Sequence, residues 1–338
     1  MPVRVGINGF GRIGRSFYRA ILARGDQAGM ELVAVNDPFG DAHTMAFLLK
    51  HDSVGGTIRN EVKESDGGFS VDGRVIKKLE SREPGEIPWG EYGVDVVIES
   101  TGRFTDGVTA AAHLKGGAKK VIISAPAKGD VPTFVLGVND DTLDPDSHDV
   151  FSNGSCTTNS LAPLAKVLND SFGIESGLMT TVHAYTGDQR LHDAPHSDLR
   201  RARAAAVSTI PTSSGAAKAI GKVIPELDGR LTGAALRVPV PVGSITDLTV
   251  VLRQSAGVED INAAFREAAA SQRLQHYLQY SEAPLVSADI IGNPYSSIFD
   301  APLTEAIGNQ VKVLGWYDNE WGFSNRLVEF SERIAAAA

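Results

Sequence analysis

Apolar positions along the chain fall into two patterns. In the first half, short unbroken apolar runs alternate with segments of helical spacing. VRVGI (Val3 to Ile7) predicts a strand, and Ile13, Phe17, Ile21 and Leu22 follow at helical spacing. ELVAVND, VDVVIESTG (Val94 to Gly102), KKVIISAPA (Lys119 to Ala127) and FVLGVN are further runs of the kind that parallel strands buried on both faces display. DAHTMAFLLKHD predicts a short helix, and FSVDGRVIKKLE, with Asp72-Gly73 between alternating segments, predicts a hairpin. This order predicts an α/β, doubly wound Rossmann-type dinucleotide-binding domain over residues 1–154.

In the second half the predicted strands lengthen: GLMTTVHAYT (Gly177 to Thr186), ALRVPVPVGSITDLTVVL (Ala235 to Leu252), LQHYLQYSE and GNQVKVLGWYD. VEDINAAFREAAASQRL (Val258 to Leu274) predicts a helix, and a polar, basic stretch between Gly187 and Ser208 predicts a long loop. Long strands broken up by helices predict an α+β catalytic domain with a largely antiparallel sheet over 155–318. A last helix is expected within 319–338, with Trp321, Leu327, Val328 and Ile334 available for burial.

Bulk properties narrow the function. The 338 residues suit two domains, and a net charge of −9 gives no general attraction to nucleic acid or to an anionic membrane. No run of 18 or more residues is apolar throughout, and MPVRVGINGF lacks the features of a signal peptide. A single cysteine cannot form an intrachain disulfide, which fits a reducing compartment, so a cytoplasmic location is expected. No metal is assigned.

Two stretches carry chemistry. Gly9, Gly11 and Gly14 form Gly-x-Gly-x-x-Gly between a predicted strand and helix, and Asp37 follows 23 residues beyond Gly14. Such glycines make a tight turn, admit a pyrophosphate and let helix pack on strand, while the acid binds a ribose diol. A carboxylate there repels a 2′-phosphate, so NAD is favoured over NADP. Thr101, Gly102, Ser124 and Ala125, at the carboxyl ends of predicted strands, are further cofactor candidates.

The second stretch is SNGSCTTNSLAPL, Ser152 to Leu164, which holds the one cysteine, Cys156. A lone cysteine is commonly a small buried hydrophobe. Here Asn153, Ser155, Thr157, Thr158 and Asn159 surround it, and helical spacing begins directly behind it. A helix N-terminus favours the thiolate, the nucleophilic form. His183, in the apolar run MTTVHAYT, reads alone as a satisfied core histidine; beside Cys156 it is a base that stabilises the thiolate as imidazolium. Candidate anion sites are Ser155 and Thr157, the start of PTSSGAAKA at Ser213, Ser214 and Gly215, and Arg237, a lone cation in an apolar strand. Arg200, Arg201 and Arg203 add basic charge from the long loop.

INGFGRIGR, VNDPF, HDSV, ESTGRF, ISAPAK, SCTTN, VHAYTGDQ, DLRRARAAA, SSGAAKA, LRVPVP, PYSSIFD and WYDNEWG occur in that order. Together they resemble the phosphorylating glyceraldehyde-3-phosphate dehydrogenases, essentially end to end. The resemblance implies Cys156 as nucleophile and His183 as its base. It implies Ser155, Thr157, Ser214, Gly215 and Arg201 around inorganic phosphate, and Thr186 and Arg237 around the 3-phosphate of the substrate. Arg12, Ile13, Asp37, Arg82, Ser124 and Asn319 match cofactor contacts. It further implies a homotetramer with the long loop at subunit interfaces, and a C-terminal helix that returns to the cofactor domain.

Four positions depart from the family pattern. Ser160 stands where a second cysteine is common, Ser214 for a threonine, Phe323 for a tyrosine and Gly154 for an alanine. Two readings compete with the main one: a dehydrogenase of another phosphorylated aldehyde such as erythrose 4-phosphate, and a catalytically idle NAD-binding redox or interaction protein.

Overall fold

The computed structural model describes residues 2–335. The chain separates into two compact units. One holds the residues up to Thr133, Leu143–Gly154 and the chain from Ser324; the other holds Phe134–Thr142 and Ser155–Phe323.

The first unit is built on an eight-stranded sheet. Its order is Val150–Ser152, Lys120–Ile123, Val96–Glu99, Val3–Asn8, Met30–Asn36, Arg74–Leu79, Gly68–Val71, Val62–Ser65. The first six strands are parallel and the last two antiparallel. Val5, Ile7, Val96, Val97, Ile98, Val121, Ile122 and Ile123 have no exposed surface, which is why these strands read as unbroken apolar runs. The predicted hairpin forms at Asp72-Gly73. Both residues take positive φ, 49° and 81°, as a type I′ turn requires. The glycine motif opens the helix Arg12–Arg24, which buries Phe17 and Ile21. The last helix, Trp321–Ala335, has Leu327, Val328, Phe330 and Ile334 fully buried. Within this unit Glu329 pairs with Arg24 at 2.8 Å, and Phe330 meets Phe151 edge-on.

The second unit carries a mixed sheet ordered Ile210–Ser213, Leu231–Val238, Ile174–Ala184, Ser244–Leu252, Gln310–Tyr317, Ser297–Asp300, Leu278–Ser281. Most of its pairings are antiparallel; Ile174–Ala184 with Leu231–Val238, and Leu278–Ser281 with Ser297–Asp300, are parallel. The helix Cys156–Phe172 buries Leu161, Leu164, Ala165 and Leu168.

Three predicted strands are corrected. FVLGVN forms a turn: Gly137 has φ 82° and Asn139 Oδ1 accepts from the Val135 N–H, so the final parallel strand is Val150–Ser152 instead. ALRVPVPVGSITDLTVVL breaks into two strands, because Pro239 and Pro241 have no N–H and Gly243 turns at φ 93°. LQHYLQYSE contributes only Leu278–Ser281.

Candidate active site

The cysteine stands where its local sequence implies. Ser155 is the N-cap, its hydroxyl accepting from the Thr158 N–H at 3.0 Å, and Cys156 is the first helical residue. Gly154 takes φ 67° just before it, a conformation alanine adopts only with strain. The backbone N–H groups of this first turn lack intrahelical partners, so they and the helix dipole face the sulfur with positive potential.

His183 reaches the thiol from the strand Ile174–Ala184. Its Nε2 lies 3.4 Å from Cys156 Sγ. Its Nδ1 lies 2.7 Å from the Ala184 carbonyl oxygen and 2.6 Å from Arg237 Nη1. One nitrogen cannot donate to the carbonyl and accept from the guanidinium at once, so Ala184 and Arg237 compete for it. Arg237 is brought there by strand register, since it pairs with His183 across two parallel strands.

Charge on either partner alone is opposed by its surroundings. Burial, then Arg237, lowers His183 to about 3; burial raises the Cys156 thiol, and Arg237 pulls it back. A proton moved from Sγ to Nε2 creates both charges together, 3.4 Å apart at a helix N-terminus, so each charge becomes the other's nearest partner.

Tyr317, which sequence reasoning left unassigned, lies behind the pair. Its hydroxyl contacts Thr157 Oγ1 at 2.9 Å and Thr181 Oγ1 at 2.7 Å, and its ring stands edge-on to His183. The signal available was strand alternation in QVKVLGWY, which places Tyr317 on the buried face. Ser160, likewise buried, joins Thr246 at 3.1 Å and Ser297 at 3.3 Å in a hydroxyl cluster. Phe323 is buried too, and Ser214 accepts from the Ala216 N–H.

The anion candidates divide. Thr157 turns its hydroxyl to Tyr317, and Ser155 spends its own on the cap. Thr186 donates to Asp188, and Arg201 pairs with the same carboxylate at 2.6 Å. Gly215 caps the short helix Ala216–Val223. Neighbouring Ser213 pairs with Ala234, three residues, or roughly 10 Å, along the strand from Arg237. The Arg237 Nε is buried without a partner, a donor left over for an anion.

In the first unit, Asn8, Gly9, Gly11, Asn36, Asp37, Pro38, Phe39, Ser81, Arg82, Ser100, Thr101, Arg103 and Phe104 line one cleft at the carboxyl ends of the parallel strands. The residues present fit a dinucleotide. Gly9 has φ 92° and a side chain there would run into the Thr101 backbone, a side chain at Gly14 would overlap the Gly9 carbonyl, and a Cβ at Gly11 would meet nothing within 4 Å. Each Asp37 oxygen accepts one backbone N–H, from Phe10 and Phe39, both at 2.9 Å. Arg82 and Arg103 flank the exposed Phe39 ring. Arg12 opens the helix and forms a two-pronged pair with Asp52, and Ile13 is half-buried beside it. Ser124 donates to the Glu99 carbonyl. Asn319 belongs to the second unit, where its Oδ1 accepts from the Gly243 N–H and the Ser244 hydroxyl.

Residues 3–107 match the family described as "Glyceraldehyde 3-phosphate dehydrogenase, NAD binding domain", and residues 155–319 match its C-terminal domain. The chain is similar to glyceraldehyde-3-phosphate dehydrogenase 2 of Streptomyces arenae, 59% identical over 337 residues and 100% of both chains. It is similar to the glyceraldehyde-3-phosphate dehydrogenase of Mycobacterium avium, 61% identical over 333 residues and 97% of each.

Proposed function

Because the chain belongs to the glyceraldehyde 3-phosphate dehydrogenase family, we infer that it converts D-glyceraldehyde 3-phosphate to 1,3-bisphosphoglycerate, using NAD and inorganic phosphate. It is an NAD-dependent oxidoreductase of glycolysis. The observation that carries the mechanism is the 3.4 Å approach of Cys156 Sγ and His183 Nε2 at a helix N-terminus, with Arg237 beside the histidine.

Cys156 adds to the aldehyde carbonyl, and its proton passes through His183 to the new oxygen, giving a hemithioacetal on sulfur. The N–H of Cys156, in the first turn of its helix, stabilises that oxygen as charge develops. At oxidation His183 Nε2 takes the hydroxyl proton, and a thioester on Cys156 results. Phosphate then attacks the thioester carbon; the acyl phosphate departs and the sulfur leaves as thiolate beside imidazolium. NAD, when bound, supplies the hydride acceptor. By resemblance to the family, Gly9, Gly11, Arg12 and Ile13 would hold its pyrophosphate side, Asp37 its ribose diol, and Arg82, Thr101 and Ser124 the rest, with Asn319 matching a further cofactor contact. Thr186 and Arg237 hold the substrate's own phosphate, and Ser155, Thr157, Arg201, Ser214 and Gly215 the attacking one. The protein works as a cytoplasmic homotetramer whose long loop lies at subunit contacts, with residues 1–154 as cofactor domain and 155–318 as catalytic domain.

NADH formation from glyceraldehyde 3-phosphate, with and without inorganic phosphate, tests this. Sustained turnover is expected only with phosphate. Sustained turnover without it means that water resolves the thioester, and refutes the phosphorylating assignment.

A further inference from the structure

Two chains of buried hydrogen bonds in the first unit meet on Glu99, which the mechanism above does not use. Glu99 ends the strand Val96–Glu99 and is 2% exposed; His113 and Trp89 are fully buried. Trp89 Nε1 donates to His113 Nδ1 at 3.0 Å. An indole N–H can only donate, so Nδ1 accepts and Nε2 carries the hydrogen. That Nε2 lies 3.0 Å from Glu99 Oε2, which must therefore accept.

The second chain starts at the backbone. The Ser81 N–H donates to Asn36 Oδ1, and Asn36 Nδ2 donates back to the Ser81 carbonyl, both at 2.9 Å, which fixes the Asn36 amide. Asn36 Nδ2 also donates to Asn8 Oδ1 at 2.7 Å, so Asn8 presents its Nδ2 to Glu99 Oε2, at 2.6 Å. Asn8 Nδ2 and His113 Nε2 come within 3.5 Å of each other because both donate to one oxygen. Glu99 Oε1 accepts from the Thr101 N–H at 2.8 Å and from the Thr101 hydroxyl. Four donors thus converge on one carboxyl, and each link runs in one sense only. The indole is itself fixed by packing, since its ring lies 2.7 Å from where a Cβ on Gly6 would stand.

Asn8, Asn36, Ser81 and Thr101 all line the cleft assigned to NAD. We propose that Glu99 is the shared acceptor that holds the walls of the cofactor cleft in register, with His113 and Trp89 as positioning residues that fix it from behind. The proposal rests on the reading of that cleft as the NAD site. An acid is required because an amide has one accepting end. Glutamine there sets its NH₂ against the Thr101 N–H, or against Asn8 and His113, and in either case a buried donor loses its acceptor.

The test uses the full-length protein, with calorimetric NAD titrations of wild type, Glu99→Gln, Trp89→Phe and Asp37→Ala, and circular dichroism with a thermal melt as the check on folding. Losing one buried partner corresponds to a rise in Kd of roughly 5- to 100-fold for Glu99→Gln. A smaller rise is expected for Trp89→Phe, which frees the His113 tautomer. The ¹⁵N spectrum of wild-type His113 should show the Nε2–H tautomer. Folded Glu99→Gln protein that binds NAD within two-fold of wild type overturns the proposal. So does an Nδ1–H tautomer in wild-type His113, which decides the matter even if Glu99→Gln does not fold. Asp37→Ala cuts the cleft and spares the relay. Weaker NAD binding in Asp37→Ala but not in Glu99→Gln overturns the relay alone; weakening in neither overturns the placement of the cleft and the relay with it.

Discussion

Replacing Tyr317 by phenylalanine removes a single oxygen from behind the Cys156–His183 pair. The side chain is 1% exposed, and burial raises its hydroxyl far above the ordinary tyrosine range, so the group keeps its proton at every working pH. With one hydrogen and two threonine neighbours, it donates to one and accepts from the other. Tyr317→Phe keeps the ring against His183 but strands Thr181, 1% exposed, while Thr157, 5% exposed, keeps only its 4.0 Å contact with the Cys156 sulfur. Thr181 lies in mid-sheet between Ala235 and Thr246, where backbone groups are already paired. One orphaned hydroxyl costs roughly 1–3 kcal/mol, so a loss of about 2 kcal/mol is expected, or a Tm lowered by about 4–8 °C. The discriminating variant is Tyr317→Phe with Thr181→Val. Removing both polar partners is close to neutral, so the double mutant should regain about 1 kcal/mol over the single one. Thermal melts of the four proteins in the cycle give the coupling directly. A Tyr317→Phe protein as stable as wild type, or a double mutant less stable than Tyr317→Phe, refutes the reasoning.

Asp52 is held at about 2: burial alone would raise it, but the Arg12 guanidinium and the N–H groups of Gly55 and Val54 outweigh that. Its folded-state value is depressed, so its contribution of about 2 kcal/mol is present above pH 4 and lost as pH falls toward 2; Asp52→Asn should flatten the acid-denaturation curve over that window. If wild type and Asp52→Asn lose stability in parallel there, the ion pair contributes nothing. Asp37→Ala should narrow the preference for NAD over NADP, because the carboxylate that repels a 2′-phosphate is gone; an unchanged ratio of Kd values would place the discrimination elsewhere. Arg237 pulls the Cys156 thiol down, so Arg237→Met should slow iodoacetamide alkylation at pH 7 and shift its pH profile upward. Two unit charges about 7 Å apart across the imidazole give a slowing of roughly three- to fifty-fold; faster alkylation would contradict the assigned sign.

Much of the cofactor side was legible because its signals are local. The glycine turn, the strand before it, the helix after it and Asp37 all fall within about forty residues, and each is dictated by backbone sterics or by burial on both faces of a strand. The Ser155 cap and the helix behind Cys156 are local too. FVLGVN failed because an apolar run does not reveal that Gly137 takes a positive φ or that Asn139 caps the turn. ALRVPVPVGSITDLTVVL carried its own warning in Pro239, Pro241 and Gly243, which break a ladder whatever the hydrophobicity around them. Glu99 and His113 were invisible for the opposite reason. Charged types are read as surface residues, and only the fold supplies the partners that let them be buried.

The arrangement around His183 shows why the rest needed three dimensions. Arg237 reads in sequence as a lone cation in an apolar strand, which predicts an anionic partner and nothing about where. The structure places it against a neutral acceptor instead, because the strands Ile174–Ala184 and Leu231–Val238 run parallel with His183 opposite Arg237. Parallel neighbours need a long crossover, so the two residues are 54 positions apart and no local period links them. The pairing is nonetheless unforgiving. Side chains alternate faces along a strand, so a slip of one residue would carry Arg237 to the opposite face of the sheet and bring Leu236 or Val238 beside the histidine. The composition of the active site would then be unchanged and its electrostatics lost. What the sequence states outright is which groups are present; what sheet register adds is that Ala184 and Arg237 compete for Nδ1, so an anion that draws the guanidinium away leaves Nδ1 to the carbonyl and Nε2 free to act as the base.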